Sequence, residues 1–275
     1  MKNKNFLVIG NPIGHSLSPT LHNFWFKKHK LKNCLYKKQK LTAFDLAKFV
    51  KNIRSGKIYG ANVTVPFKNK IIKYLDIIKG DAIKTNSVNT LYLQNDKLIG
   101  DNTDVYGFTK GVLEKIKSKP KIAAIIGAGG VVPSIIQSLI NKNIKKIYIT
   151  NRTYKKILNL KKIFKKRIIP IKFGQHENCF NNVDILINAS TLGMLGQKEL
   201  NFNFKKTKKK MNVVDIVYNP EKTKFLKDAQ VCKHNIISGL EMFIYQAQKA
   251  FIIWHKKSPL INKQMYQILR KAIND

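Results

Sequence analysis

The stretch IAAIIGAGGVVPSIIQSLI, residues 122–140, decides the fold. Residues 122–126 are apolar without a polar break, as a strand covered on both faces requires. GAGG follows at Gly127, Ala128, Gly129 and Gly130, and residues 131–140 carry apolar side chains at helical spacing. Glycines between a buried strand and a helix allow a tight turn and close backbone approach to a pyrophosphate. The helix N-terminus then offers free N–H groups to it. Read outward from this unit, residues 146–150, 183–188 and 213–217 are further apolar runs of strand type. Strands alternating with helices predict a parallel, doubly wound sheet, so the fold class is α/β with a Rossmann-type dinucleotide-binding domain. An ordinary glycine-rich turn is the alternative for GAGG, and Val131 stands where a smaller residue often packs helix against strand.

The strand at 146–150 ends in Asn151, Arg152 and Thr153. A site for NAD usually places an acid here to hold the ribose 2′-hydroxyl. An arginine and a hydroxyl instead suit a 2′-phosphate, which selects NADP. A surface arginine at a helix start is the competing reading.

The first 104 residues have another character. NPIGHSLSPTLHN (11–23), GANVTVPFK (60–68), SVNT (87–90) and GDNTD (100–104) concentrate hydroxyls, amides, one ammonium and one carboxylate. A core excludes unpaired groups of this kind, whereas a polyhydroxylated small molecule needs them. Ser18 before Pro19 reads as a helix start, with Ser18 as N-cap. Ser16 and Ser18 beside that N-terminus could hold a carboxylate, or Ser18 could serve only as the cap. Residues 61–65 alternate, with Val63 and Val65 on one side and Asn62 and Thr64 on the other. Pro66 ends that strand, and a helix to about Leu75 is expected. Residues 90–93 and 97–99 flank Asn95-Asp96 as a hairpin. Lys68 and Asp104 close two of the polar segments. They could form a surface ion pair or a proton-transfer pair at a carbonyl oxygen that receives a hydride. The last 35 or so residues read as helical, with Gln246 a polar residue on an apolar face, either a core amide or a ligand group. His15 and His22 have no partner at metal spacing and read as structural, so no metal is expected.

Composition bounds the partners. The 52 basic residues against 15 acidic ones give +37. Only Arg54, Arg152, Arg167 and Arg270 are arginines, and the lysines are spread over the whole chain. Lysine, asparagine and isoleucine share A/T-rich codons, so coding bias accounts for the charge without nucleic acid. Residues 201–210, NFNFKKTKKK, read as a solvated loop. Cys34, Cys179 and Cys232 are far apart, which suits a reducing cytoplasm. No apolar stretch approaches the roughly 18 residues of a membrane span.

Taken together, GNPIGHSLSPTLHN, GANVTVPFK, SVNT, GDNTD, GAGG, NRT, INASTLGM, DIVYNPEKT and SGLEMFIYQAQKAF, in this order and spacing, resemble the shikimate dehydrogenase family over nearly the whole chain. The resemblance implies a substrate domain from residues 1–105 plus 238–275 and an NADP domain from 106–237. It implies reversible NADP-dependent reduction of 3-dehydroshikimate to shikimate in a cytoplasmic monomer or homodimer. By similarity Ser16 and Ser18, helped by Tyr218, hold the carboxylate. Thr64, Asn89 and Gln246 bind ring hydroxyls, and Lys68 and Asp104 form the catalytic pair. Phosphates lie on Gly127 to Val131, the 2′-phosphate on Asn151, Arg152 and Thr153, and Ile216 and Gly239 lie near the nicotinamide. Asn86-Ser87, Val105 and Asn69 depart from the usual Gly-Ala, Gly and Glu, beside functional positions without replacing them. Two alternatives remain: a quinate/shikimate dehydrogenase using NAD, and a non-enzymatic regulator, which would be expected to lack Lys68 or Asp104.

Overall fold

The computed structural model describes residues 3–274. In chain order the elements run β1 (Lys4–Gly10), α1 (Ser18–Lys28), β2 (Cys34–Lys40), α2 (Leu46–Arg54), β3 (Gly60–Val63), β4 (Ile77–Ile78) and α3 (Asp81–Thr85). Then come β5 (Thr90–Gln94), β6 (Lys97–Asp101), α4 (Asp104–Gly111), β7 (Ile122–Ile126), α5 (Val132–Asn141), β8 (Lys146–Thr150) and α6 (Tyr154–Phe164). The chain continues through β9 (Ile168–Ile171), α7 (His176–Phe180), β10 (Ile185–Asn188), β11 (Asn212–Asp215), α8 (Lys224–Val231), β12 (Asn235–Ser238), α9 (Gly239–His255) and α10 (Lys263–Asn274). They divide into two units, Met1–Tyr106 with Ile244–Asp275, and Gly107–Phe243. The two divisions fall inside α4 and α9.

The second unit is built on a six-stranded sheet of order β12-β11-β10-β7-β8-β9, parallel at every pairing. Alternate residues of β7 feed opposite layers. Ala123 and Ile125 pack with Val132, Ile135, Ile136 and Leu139 of α5. Ala124 and Ile126 join Phe180, Leu186, Val213 and Phe225 on the other face. Two covered faces explain why these strands read as unbroken apolar runs. Each buried Val, Leu, Ile or Phe among them contributes on the order of 1.5–3 kcal/mol.

The first unit has a mixed sheet of order β2-β1-β3-β5-β6-β4. β1 pairs in parallel with β2 and β3, and β3-β5-β6 run antiparallel through the expected hairpin. Leu46, Phe49, Val50 and Ile53 of α2 cover one face with Ile9, Val63, Leu91 and Leu98. Elsewhere in this unit Phe6, Trp25, Phe26, Tyr36 and Phe251 are buried in a ring cluster around His22, with half-buried Trp254 packed against it. Gly60 lies against it, where an added Cβ would stand 2.5 Å from Trp254 Nε1.

Local expectations are corrected at several points. β3 stops at Val63, so Val65 does not share its side: Val63 is 2% exposed and Val65 50%. After Pro66 there is only a short 3₁₀ turn, Lys70–Tyr74, rather than an α-helix to Leu75. Leu17 is the N-cap of α1, and Ser18 is the first helical residue. The C-terminal region is two helices, broken between residues 256 and 262. Among the described residues no helix is long and apolar enough to cross a membrane.

Candidate active site

In the first unit β3 delivers Asn62 and the turn after it delivers Thr64 and Lys68. The missing side chain of Gly10 makes room for Thr64, whose Cγ2 would lie 2.5 Å from a Cβ there. The Thr64 amide donates to the Ile9 carbonyl at 2.9 Å, and the Val88 amide to the Lys68 carbonyl at 2.8 Å, pinning both ends of the turn. β6 runs into Asn102, two residues before α4. Its side-chain oxygen accepts from the amides of Asp104 (3.0 Å) and Val105 (3.3 Å). This is N-capping, and it places the Asp104 carboxylate in the first turn, where the helix field favours negative charge.

Lys68 and Asp104 meet here, both buried, with Nζ 2.5 Å from Oδ2. The other carboxylate oxygen accepts from Asn89 Nδ2 at 2.9 Å. The surface ion pair considered for these residues is therefore excluded. A buried pair survives only when its hydrogen-bonding groups are occupied, and here Lys68 and Asn89 each occupy one carboxylate oxygen. Asn89 is held in turn: Nδ2 also donates to Thr103 Oγ1 (3.0 Å), and Oδ1 accepts from the Thr103 amide (2.8 Å) and Thr90 Oγ1 (3.0 Å). Its amide thus orients Asp104. Ser16 and Ser18 sit together at the start of α1, their hydroxyls 3.2 Å apart, and Ser16 Oγ also accepts from the Ser18 amide at 3.3 Å. Gln246 is half-buried on α9 beside buried Ala247 and Ala250.

In the second unit the glycine turn is constrained by its neighbours. Gly127 has φ +117°, and a Cβ would stand 2.7 Å from the Ala189 carbonyl oxygen. Only glycine fits both conditions. Val131 caps α5, and Pro133 occupies its first turn, so Ala128 to Val131 present the N-terminus of a ten-residue helix. Beyond β8, Asn151 Nδ2 donates to the Thr153 carbonyl at 3.0 Å and closes the turn that carries Arg152. Arg152 is exposed, and among the described residues nothing pairs with its guanidinium. Gly239 opens α9 against Ile216, with a Cβ there only 2.2 Å from the Ile216 oxygen. Tyr218 stacks on Phe243 with centroids 4.9 Å apart. A groove of about 690 Å³ along edge strand β12, lined by Lys115, Lys210 and Asn235 among others, holds none of the expected residues.

Two family models match the chain. The shikimate dehydrogenase substrate binding domain matches residues 8–91, and shikimate / quinate 5-dehydrogenase matches residues 110–235. Shikimate dehydrogenase (NADP(+)) of Pelagibacter ubique is 47% identical over 268 residues, 97% of this chain and 98% of the relative. The chain belongs to the shikimate dehydrogenase family. Shikimate 5-dehydrogenase of Listeria monocytogenes, solved with shikimate and NAD, superposes with TM-score 0.87 at 30% identity, covering 97% of this chain and 96% of that one. The Thermus thermophilus enzyme with NADP(H) and shikimate gives 0.86 at 27%, covering 98% and 99%. The family fold is the one described above: an N-terminal substrate-binding domain and a Rossmann-like nucleotide-binding domain.

Residue-level reading of the sequence missed the polar scaffold that holds these family positions. Asn102, Thr103 and Asn62 are buried polar residues within motifs already conspicuous for polarity, but nothing in spacing tells a scaffold amide from a ligand amide. Asp215, at the end of an apolar strand, was also silent. It is fully buried and accepts from Thr223 Oγ1 (2.6 Å), Asn188 Nδ2 (3.0 Å) and the Val217 amide (3.0 Å). Burial pushes its carboxyl up to about 6 despite those three donors.

Proposed function

We propose that the chain catalyses the reversible NADP-dependent reduction of 3-dehydroshikimate to shikimate, with Lys68 and Asp104 handling the proton. The observation that carries this reading is the buried Lys68–Asp104 contact held by Asn89. It stands in a chain 47% identical to an NADP-dependent shikimate dehydrogenase. The residues present suit the dinucleotide: a glycine turn that a Cβ would fill, a helix N-terminus, and an exposed guanidinium after β8. Gly127 to Val131 would hold the pyrophosphate, Asn151, Arg152 and Thr153 the 2′-phosphate, and Ile216 and Gly239 would flank the nicotinamide. NADPH supplies hydride to the ring ketone when bound.

The protein's own groups do the rest. Ser16 and Ser18 donate hydroxyl hydrogens to the substrate carboxylate, with Tyr218 assisting. Thr64 and Gln246 engage ring hydroxyls, and Asn89 borders the ring while fixing Asp104. As the ketone carbon accepts hydride, its oxygen gains negative charge, and the Lys68–Asp104 pair delivers one proton to it. In the reverse direction the pair takes that proton from the hydroxyl. Positioned proton transfer is worth about 10²–10⁴-fold. The same reading has a cytoplasmic monomer or homodimer with no nucleic-acid partner, in keeping with three free cysteines and dispersed lysines.

The test is loss of NADPH absorbance on adding 3-dehydroshikimate to the purified protein, repeated with NADH and, in the oxidative direction, with quinate. Turnover with NADPH and 3-dehydroshikimate exceeding the others is expected. Silence with that pair would overturn the reading.

A further inference from the structure

Most residues of INASTLGM (187–194) and DIVYNPEKT (215–223) hold no ligand in the function proposed above, yet the two motifs are bonded to one another at several points. They meet at Asp215, the last residue of β11 and 0% exposed. Its Oδ1 accepts from Asn188 Nδ2, at the end of β10, and from the Val217 amide, both at 3.0 Å. Its Oδ2 accepts at 2.6 Å from Oγ1 of Thr223, the N-cap of α8. Val213 and Val214 before it are apolar, as a covered strand requires. Burying a carboxylate there costs free energy that its donors must offset, so the carboxylate and its three donors stand or fall as one unit.

What this unit holds is the exit from β11. The bond from the Val217 amide back to the Asp215 side chain is an Asx turn, which sets the direction in which the chain leaves the strand. The Ile216 amide donates to the Asn188 carbonyl at 3.0 Å, and the Gly239 amide to the Val217 carbonyl at 3.3 Å. Further on, the Leu195 amide donates to the Asn219 carbonyl at 3.0 Å. Asn188 is oriented in turn: its Oδ1 accepts from the Ser190 hydroxyl at 2.7 Å, and its Nδ2 also donates to the Leu192 carbonyl at 2.9 Å. One loop, residues 188–195, therefore braces both Asp215 and the segment that follows it. The same loop supplies the Ala189 carbonyl that bars a side chain at Gly127.

We propose that Asp215 is a positioning residue for the nicotinamide end of the dinucleotide: with Asn188 and Thr223 it fixes the backbone of residues 216–219, so that Ile216 stands in its binding conformation before the dinucleotide arrives. The inference rests on the placing of the nicotinamide beside Ile216 and Gly239 under the proposed function. Asp215 is fully buried and need not touch the cofactor. A segment that holds its binding conformation only part of the time weakens affinity by that fraction, and only for ligands that engage the segment. The phosphates are assigned to other segments, Gly127 to Val131 and Asn151 to Thr153.

Asp215→Asn keeps the shape of the side chain and removes its charge and one acceptor. Calorimetry on the full-length protein, its fold checked by circular dichroism, gives Kd for NADP+ and for 2′-phospho-ADP-ribose, which keeps every phosphate and lacks the nicotinamide. General loosening of the domain weakens both ligands alike, so the ratio of the two constants is the readout. In Asp215→Asn, NADP+ binding is expected to weaken about tenfold, the loss of one hydrogen bond to a charged group, with the fragment changed by less than about twofold. Thr223→Val removes the hydroxyl that reaches Asp215 and should shift the ratio in the same sense. Thr223→Ser keeps that hydroxyl and should restore the parent's ratio. Turnover of NADPH and 3-dehydroshikimate by the parent is measured beside them. If the parent is active and the ratio in folded Asp215→Asn stays within about twofold of the parent's, the inference is wrong and the proposed function stands. If the parent shows no turnover with that pair, the proposed function fails and the inference with it.

Discussion

At the scale of single residues, environment decides which polar groups are chemical and which are scaffold. Lys68 and Asp104 are buried against one another, whereas Arg54 and Asp76 make a bidentate pair (2.7 and 2.9 Å) on the surface with no bearing on a site. Arg152 is the converse case, an exposed cation with no partner among the described residues, and that makes it available to a ligand. A guanidinium meets a phosphate through charge-assisted bonds that a ribose hydroxyl cannot replace. Arg152→Ala is therefore expected to raise KM for NADPH about tenfold or more and leave KM for NADH nearly unchanged. Steady-state titration of both cofactors checks this, and an equal change for both would show that Arg152 does not read the 2′-phosphate. The density of polar residues around Lys68 and Asp104 made that pair legible in the sequence as a candidate, and the structure brings the two together. Asn89 shows the limit: a ring-binding amide and an amide holding Asp104 have the same letter, and only the bonds to Thr103 and Asp104 tell them apart.

At the scale of elements, the parallel sheet was legible because strands covered on both faces must be apolar throughout. Edge and mixed-sheet strands were less so. β2 reads CLYKKQK, with only Tyr36 buried, and this edge strand carries no clear period. The stretch after Pro66 has apolar residues at helical spacing, yet Lys68 and Phe67 are drawn into the core, leaving room only for a 3₁₀ turn. Asp215 ties three elements together, receiving Asn188 from the end of β10 and Thr223 from the N-cap of α8 while standing at the end of β11. Its folded-state value of about 6 lies above the unfolded 3.8, so the folded protein binds the proton more tightly. The stability this contributes is present below pH 3.8 and is lost as pH rises through 6, on the order of 3 kcal/mol across the window. His22 and His255, held at about 3 and 4 by burial, act in the opposite sense, because the unfolded chain protonates them first. The comparison must therefore be differential. Denaturant unfolding between pH 4 and 7 should show Asp215→Asn gaining stability relative to the parent as pH rises. A constant difference between the two would mean that Asp215 does not titrate in this range.

At the scale of the whole molecule, the chain carries a net charge of +37, and the ligands proposed for it are anions. Both the dinucleotide phosphates and the substrate carboxylate enter that field. Surface lysines more than about 8 Å from a bound ligand are screened at physiological salt, while the buried pair is not. KM for NADPH and for 3-dehydroshikimate should rise several-fold between 20 and 300 mM salt, roughly, with kcat changing much less. An equal fall in kcat would place the salt effect in the chemistry. The central claim is that Lys68 and Asp104 work as one unit on one proton. Groups that act as a unit are strongly non-additive when removed. The measurement is kcat for NADPH-dependent reduction of 3-dehydroshikimate by Lys68→Ala, Asp104→Ala and the double variant, all shown to be folded. Each single variant should lose about 10²-fold or more, and the double variant should be no more than a few-fold slower than the worse single one. Near-normal kcat in either single variant, or losses that multiply in the double one, would contradict the account.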